Sequence, residues 1–137
     1  MPAQHLPLLI LAASLVACAE HSSDEERVRD VIDSVETAAE KRDASDVMDF
    51  VADDYTDSEG FDKTRLQNFL RAYLLAHPKV ELFTHIDKLE FPADGLAQAE
   101  VTVTGVALGD VDHVRLKAEF RRNAAGEWLV SRADRLR

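Results

Sequence analysis

The chain has 137 residues, a formal net charge of −10 and one cysteine. That length suits a single domain. The acidity argues against nucleic acid as a partner, because a phosphate backbone repels it, and against membrane attachment through overall surface charge. A lone thiol forms no internal disulfide and no Cys/His zinc set.

The first element is an apolar run from Leu6 to Val16, with no charged side chain. It is too short to span a hydrocarbon core of ~30 Å, which takes about 20 helical residues. It suits the hydrophobic region of an export signal. No Lys or Arg precedes it; the positive charge there is the terminal amine, with His5 beside it. Next comes Leu15-Val16-Ala17-Cys18, which resembles the lipobox of bacterial lipoproteins. The resemblance implies cleavage before Cys18 and diacylglycerol on its thiol. It divides the chain into a signal peptide (1–17), a lipidated cysteine with a polar tether (18–23) and a domain (24–137). Acyl chains contribute about 0.8 kcal/mol per buried methylene, so such a residue holds a soluble domain on a bilayer. The membrane then becomes a partner, on the periplasmic side of the envelope. Ala19 stands where an Asp would signal inner-membrane retention, which favours the outer membrane. Ala17-Cys18-Ala19 also matches ordinary small-x-small cleavage, which would release a free domain.

Ser23-Asp24-Glu25-Glu26 has the pattern of a capping box. Val28, Val31, Ile32, Val35 and Ala39 then share one helical face, which predicts a helix to about Arg42. Ser45 is placed to cap a short helix holding Val47, Met48, Phe50 and Val51. Asp53 to Asp62 reads as loop. A third helix follows Asp62, with Leu66, Phe69, Leu70, Tyr73 and Leu74 as its stripe, and stops at His77-Pro78 because proline disfavours helix before it. After Pro78 the period becomes two. Strands are expected over Val80 to Phe91, Leu96 to Leu108, Val114 to Arg121 and Glu127 to about Leu136. Turns are expected at Pro92–Gly95, Gly109-Asp110 and Asn123–Gly126. Helices followed by long antiparallel strands predict an α+β fold with the helices on one sheet face.

This order resembles the nuclear transport factor 2-like superfamily, with its SnoaL-type cyclases and ketosteroid isomerases. The resemblance rests on the amphipathic first helix, Arg42-Asp43-Ala44, Phe50-Val51-Ala52-Asp53-Asp54-Tyr55 and the closing Gly126-Glu127-Trp128-Leu129-Val130. It implies three helices on a curved sheet of about four main strands, forming a cone whose open end can hold a small ligand. The fold hosts enzymes, binding modules and scaffolds alike, so it does not choose among them.

The isomerase members use a carboxylate base and an oxyanion-stabilising Tyr. Matching through Asp53-Asp54 puts Glu59 at the base position and Val35 at the Tyr position. One role is filled and the other is missing, which removes a large electrostatic contribution to catalysis. Tyr55, Glu59, Tyr73, His85 and Trp128 are the candidate pocket residues, and no catalytic set is expected. Asp53, Asp54, Asp57 and Glu59 do not follow the calcium-loop pattern, because Tyr55 interrupts it. His77, His85 and His113 lack metal-ligand spacing. No phosphate loop, G-x-S-x-G elbow or H-E-x-x-H pair occurs. No metal or cofactor is expected. The expected role is a non-enzymatic envelope lipoprotein domain that binds a small apolar ligand or an envelope protein. Two alternatives stand beside it: an isomerase or cyclase using Glu59 in the cone, and a structural homodimeric module that joins other envelope proteins through the outer sheet face.

Overall fold

The computed structural model describes residues 16–107 and 110–137. Residues 1–15, with most of the expected export signal, and residues 108–109, in the expected second turn, lie outside the described residues. Three helices come first: α1 (Val16–Glu40), α2 (Ala44–Met48) and α3 (Lys63–Ala76). Four strands follow: β1 (Val80–Ala93), β2 (Leu96–Ala107), β3 (Asp110–Arg122) and β4 (Trp128–Arg135). They pair antiparallel in the order β1-β2-β3-β4. The expected α+β architecture is present with four strands in the expected order, but β3 starts at Asp110 rather than Val114 and β1 runs on to Ala93, each taking in residues expected as turn. Among the described residues, no helix is long and apolar enough to cross a membrane.

Three local expectations need correction. The capping box at Ser23 does not open the helix: α1 continues back through residues 20–24, where an irregular tether was expected. The Asp24 carboxylate instead meets the sheet. It lies 3.3 Å from Arg122 Nη1 and accepts from Trp128 Nε1 at 3.4 Å. Second, α2 is capped by Asp43 rather than Ser45, and it ends at Met48, so Phe50 and Val51 lie beyond the helix. Asp43 has extended backbone and its Oδ1 accepts from Asp46 N at 2.9 Å, which satisfies an otherwise orphan helix donor. Third, the apolar stripe of α3 splits. Leu74 is buried and Leu66 and Leu70 pack on the core, whereas Phe69 and Tyr73 are exposed. Five apolar residues cover an arc wider than one packing face, and the leucines at four-residue spacing take the inside.

The chain path turns on two backbone features. Arg42 ends α1 in the left-handed region at φ 60°. Its guanidinium then donates from Nη2 to Leu74 O at 2.7 Å, capping the far end of α3. Asp94-Gly95 closes the first hairpin, with Gly95 at φ 71° as a tight hairpin turn requires.

The core lies between α1 and the concave sheet face. Val28, Val31 and Ile32 of α1 pack with Ala97, Ala99 and Val101 of β2, Ala118 and Phe120 of β3, and Trp128 of β4. Trp128 meets Phe91 edge-on, with ring centroids 6.0 Å apart. A second cluster joins Ala38 and Ala39 to Val47, Met48, Val51 and Tyr55. β4 carries an extra residue at Ser131, where the register to β3 shifts between Glu119 and Phe120. Buried Ser131 donates to Glu119 O at 3.2 Å, and such a bulge bends the strand. The edge of β4 is covered by the segment after α2: Ala52 N donates to Val130 O and Val130 N to Phe50 O. The outer sheet face is polar in its middle, with Glu100, Thr102 and Thr104 opposite Lys117, Arg115 and His113, and carries exposed Phe83 and Val111 towards one end.

Phe120 is fully buried and Leu75 is 81% exposed. Phe120→Ala should therefore cost about 3–5 kcal/mol, and Leu75→Ala less than about 0.5 kcal/mol. Urea unfolding of the two variants checks this; equal costs would contradict the assignment of the core.

Candidate functional site

A cavity of about 180 Å³ lies between α1 and the concave sheet face. Ile32, Val35 and Glu36 of α1 form one wall. The other walls are Leu82 and Thr84 of β1, Val101 and Val103 of β2, Leu116, Ala118 and Phe120 of β3, and Val130 and Ala133 of β4. The period of two turns the residues of β1, β2 and β3 inward, and the bulge at Ser131 brings both Val130 and Ala133 of β4 to the same face. The space has a sequence cause: Ala118 and Ala133 face each other in register. Short side chains there leave room that a leucine would fill.

Two polar residues reach this lining, and they satisfy each other. Glu36 Oε2 accepts from Thr84 N at 3.1 Å and from Thr84 Oγ1 at 2.5 Å. The pair fastens α1 to edge strand β1. It also occupies a backbone donor of that edge, which would otherwise be open to pairing. The rest of the lining is apolar.

The five residues expected at a pocket lie elsewhere. Tyr55 is buried in the second cluster, where its hydroxyl donates to Asp57 Oδ2 at 2.9 Å. Glu59 is exposed, and its backbone N–H donates to Asp57 Oδ1 at 2.9 Å. Tyr73 stands on the outer side of α3, stacked on His77 at 4.1 Å. His85 is exposed, with Nε2 3.8 Å from Asp87 Oδ1. Trp128 is core and bonded to Asp24. None of the five lines the cavity. A base role for Glu59 in the cone is thereby corrected: the Asp57-centred turn directs it into solvent. Val35, matched to the absent oxyanion Tyr, does line the cavity, and it is apolar.

The loop acids have structural tasks. Asp57 Oδ1 also accepts from Phe61 N at 3.0 Å. Asp53 pairs with Lys63 at 3.0 Å, and Asp54 with Arg121 at 2.6 Å. The Arg121 hydrogen bond holds the Asp54 carboxyl below the usual range, against a small desolvation effect. Asp134 accepts from Ser58 N at 2.8 Å and tethers the loop to β4. Burial works to raise its pKa, but hydrogen bonds from Arg132 and Ser58 leave it lowered. Among the described residues, no group of three His, Cys, Asp or Glu side chains is placed to hold a metal.

Glu36 and Thr84 were missed from sequence. The available signal was a glutamate four residues after Ile32, on the apolar face of α1. Thr84 stands between inward Leu82 and Ile86 in the same way.

No protein-family profile matches the chain, and no curated protein matches it. Solved structures do. A nuclear transport factor 2-like protein of unknown function from Pseudomonas putida KT2440 superposes with a TM-score of 0.70 at 18% identity, covering 83% of this chain and 86% of that one. The fold is nuclear transport factor 2-like. A cystatin-like-fold protein of unknown function from Nostoc punctiforme PCC 73102 gives 0.69 at 16% identity, covering 83% and 90%. A Novosphingobium aromaticivorans protein, provisionally described as a scytalone dehydratase, gives 0.69 at 8% identity, covering 86% of each. With this fold, the cone expected from the sequence corresponds to the cavity under α1.

Tyr55 supplies a direct check on the loop geometry. Burial, then its bond to Asp57, raises its pKa well above the ordinary 10.0. The folded value exceeds the unfolded one, so its stabilising contribution is complete below pH 10 and is lost as pH rises through the folded value. In an alkaline titration followed by tyrosinate absorbance, the latest phase should vanish in Tyr55→Phe. A phase at the ordinary tyrosine value removed by that substitution would contradict the burial.

Proposed function

We propose that this domain binds a small apolar molecule in the cone without transforming it, and that it does so at the bacterial envelope, held by lipid on Cys18. The observation that carries the ligand reading is the cavity lining. Apolar side chains line about 180 Å³ of space that opens partly to solvent, and the polar pair at its wall is internally bonded. An apolar cavity of roughly this size stays dry and admits benzene-sized molecules. General acid–base work needs a group positioned at the reacting atom and a donor where charge develops. Glu36 has both hydrogen bonds of Oε2 committed to Thr84, and no other ionisable side chain is among the lining residues. Binding fits this lining better than turnover.

The envelope reading is supported by sequence. An uncharged apolar run leads directly to Leu15-Val16-Ala17-Cys18, and Cys18 is the only thiol in the chain. A periplasm-facing location follows, with Ala19 favouring the outer membrane. A protein partner from the envelope would meet the domain from outside the cone.

Benzene or toluene should bind with a Kd on the order of 0.1–1 mM, given the ceiling on energy per ligand atom. Ala118→Leu should weaken that binding by about tenfold or more by filling the space. Chemical shifts of the lining methyl groups report both. Unchanged affinity in Ala118→Leu would place the probe outside the cone. For location, mass spectrometry of membrane-extracted protein should find a lipid-modified N-terminal Cys18. An unmodified mature chain starting at Glu20 would contradict the anchor.

A further inference from the structure

The charge of this chain is not evenly spread. Residues 63–79, which comprise α3 and its exit, hold four of the sixteen Lys and Arg side chains and none of the 26 Asp and Glu. The remainder is therefore more acidic than the total of −10 implies. The same helix shows an apolar face to the outside. Phe69 is 52% exposed, Tyr73 40% and Leu75 81%, and Ala72 and Ala76 between them are exposed as well. Phe69 stacks on Tyr73 and Tyr73 on His77, with centroids 6.3 Å and 4.1 Å apart, so the rings form one continuous ridge. Its inner face is already satisfied by Leu66, Leu70 and Leu74. Within the domain the ridge meets only the loop before α3, where Phe61 lies 5.7 Å from Phe69, ring centroid to ring centroid, and Phe69 and Tyr73 stay exposed.

Beside this ridge is a cleft lined by Lys41, Arg42 and Arg71, with Leu75 at its margin. Among the described residues, none of the three cations has a carboxylate within salt-bridge distance. Asp43 also lines the cleft, but its carboxylate is committed to capping α2. Arg42 is held in place by its bond to Leu74 O. Three cations therefore sit on a rigid corner next to exposed Leu75, with the aromatic ridge on the other flank of the helix.

We propose that the outer face of α3 docks on an anionic phospholipid bilayer. Phe69, Tyr73 and Leu75 enter the headgroup–acyl boundary, and Lys41, Arg42 and Arg71 meet the lipid phosphates. Aromatic and leucine side chains beside Lys and Arg are the composition of an interfacial helix. The acidity of the chain as a whole does not oppose this contact. Surface charge is screened within ~8–10 Å at physiological salt, so the bilayer responds to the face it touches. Acids flanking α3 are engaged: Asp62 caps the helix through Arg65 N, Glu81 pairs with Lys79, and Asp53 pairs with Lys63. The proposal is independent of the cone and of lipid on Cys18.

The test uses the full chain with Cys18→Ser, so that no acyl chain is attached, and one new cysteine carrying an environment-sensitive fluorophore. With the label at Ala72→Cys, phosphatidylcholine vesicles doped with phosphatidylglycerol should raise emission about twofold or more, as expected for a shallow interfacial position. With the label at Lys117→Cys, on the outer sheet face, emission should stay constant. Adding Lys41→Glu and Arg71→Glu should weaken the Ala72 response by about tenfold or more, at about 1 kcal/mol for each surface cation. These are exposed positions, and far-UV circular dichroism confirms that the variants fold. A silent Ala72 label on vesicle-bound protein would overturn the proposal. So would a response that the charge reversals leave unchanged. A response that appears on raising protein concentration without vesicles would give the ridge to a second copy of the chain instead.

Discussion

The position of α1 on the concave sheet face is the constraint on which the rest depends. Its apolar stripe is buried against β2, β3 and Trp128, and polar side chains fix its height and angle. Asp24 reaches Arg122 and Trp128 at one end of the contact, and Glu36 reaches Thr84 further along. A helix pinned in this way roofs the sheet without sinking into it. Arg122 strengthens the first fastening: it also pairs with Asp94 at 2.9 Å and lies over the Trp128 ring at 5.6 Å. Trp128 is thus packed, hydrogen-bonded and covered by a cation at once, which makes it a fixed point outside the cavity under α1.

The cavity follows from that geometry. Close packing normally leaves few voids larger than a water molecule. Here the fastened helix cannot collapse onto the short side chains of Ala118 and Ala133, so the space beneath it persists. The same geometry explains its chemical character. Inward positions alternate with a polar outer face, and the inward set is almost wholly aliphatic. Solved structures with this fold include proteins of unknown function and one provisionally described as a dehydratase. The architecture therefore leaves the role open, and the argument for binding over catalysis comes from the lining residues of this chain.

Much of the fold was legible in the sequence because the strands carry a strict two-residue period. Val114, Leu116, Ala118 and Phe120 alternate with charged residues, and the body of β3 follows that pattern, whereas its start, Asp110 to His113, does not. Asp62 and His77-Pro78 bounded α3 correctly, since both act within one turn of the helix end. Errors arose where local pattern underdetermines partners. Phe69 and Tyr73 belong to an apolar arc too wide to be buried entirely, and only packing decides which part faces in. Ser45 and Asp43 are both good caps, and the chain direction after Arg42 selected Asp43. The site was less legible still. Glu36 and Thr84 are 48 positions apart, and their meeting depends on how α1 crosses β1. Glu59 looked suitable by alignment, yet the turn around Asp57 faces it outward. Tyr55 and Trp128 were chosen as aromatic walls with polar tips, and each tip is used inside the core.

The central claim is that the space between α1 and the sheet is a dry, apolar, ligand-sized cavity. Crystallography under xenon pressure tests it most directly, because xenon enters apolar voids without needing a polar partner. The account predicts a single strong xenon peak among Ile32, Val101, Ala118 and Phe120. Ordered water bonded to Glu36 in that space, or a crystal that takes up no xenon there, would contradict it.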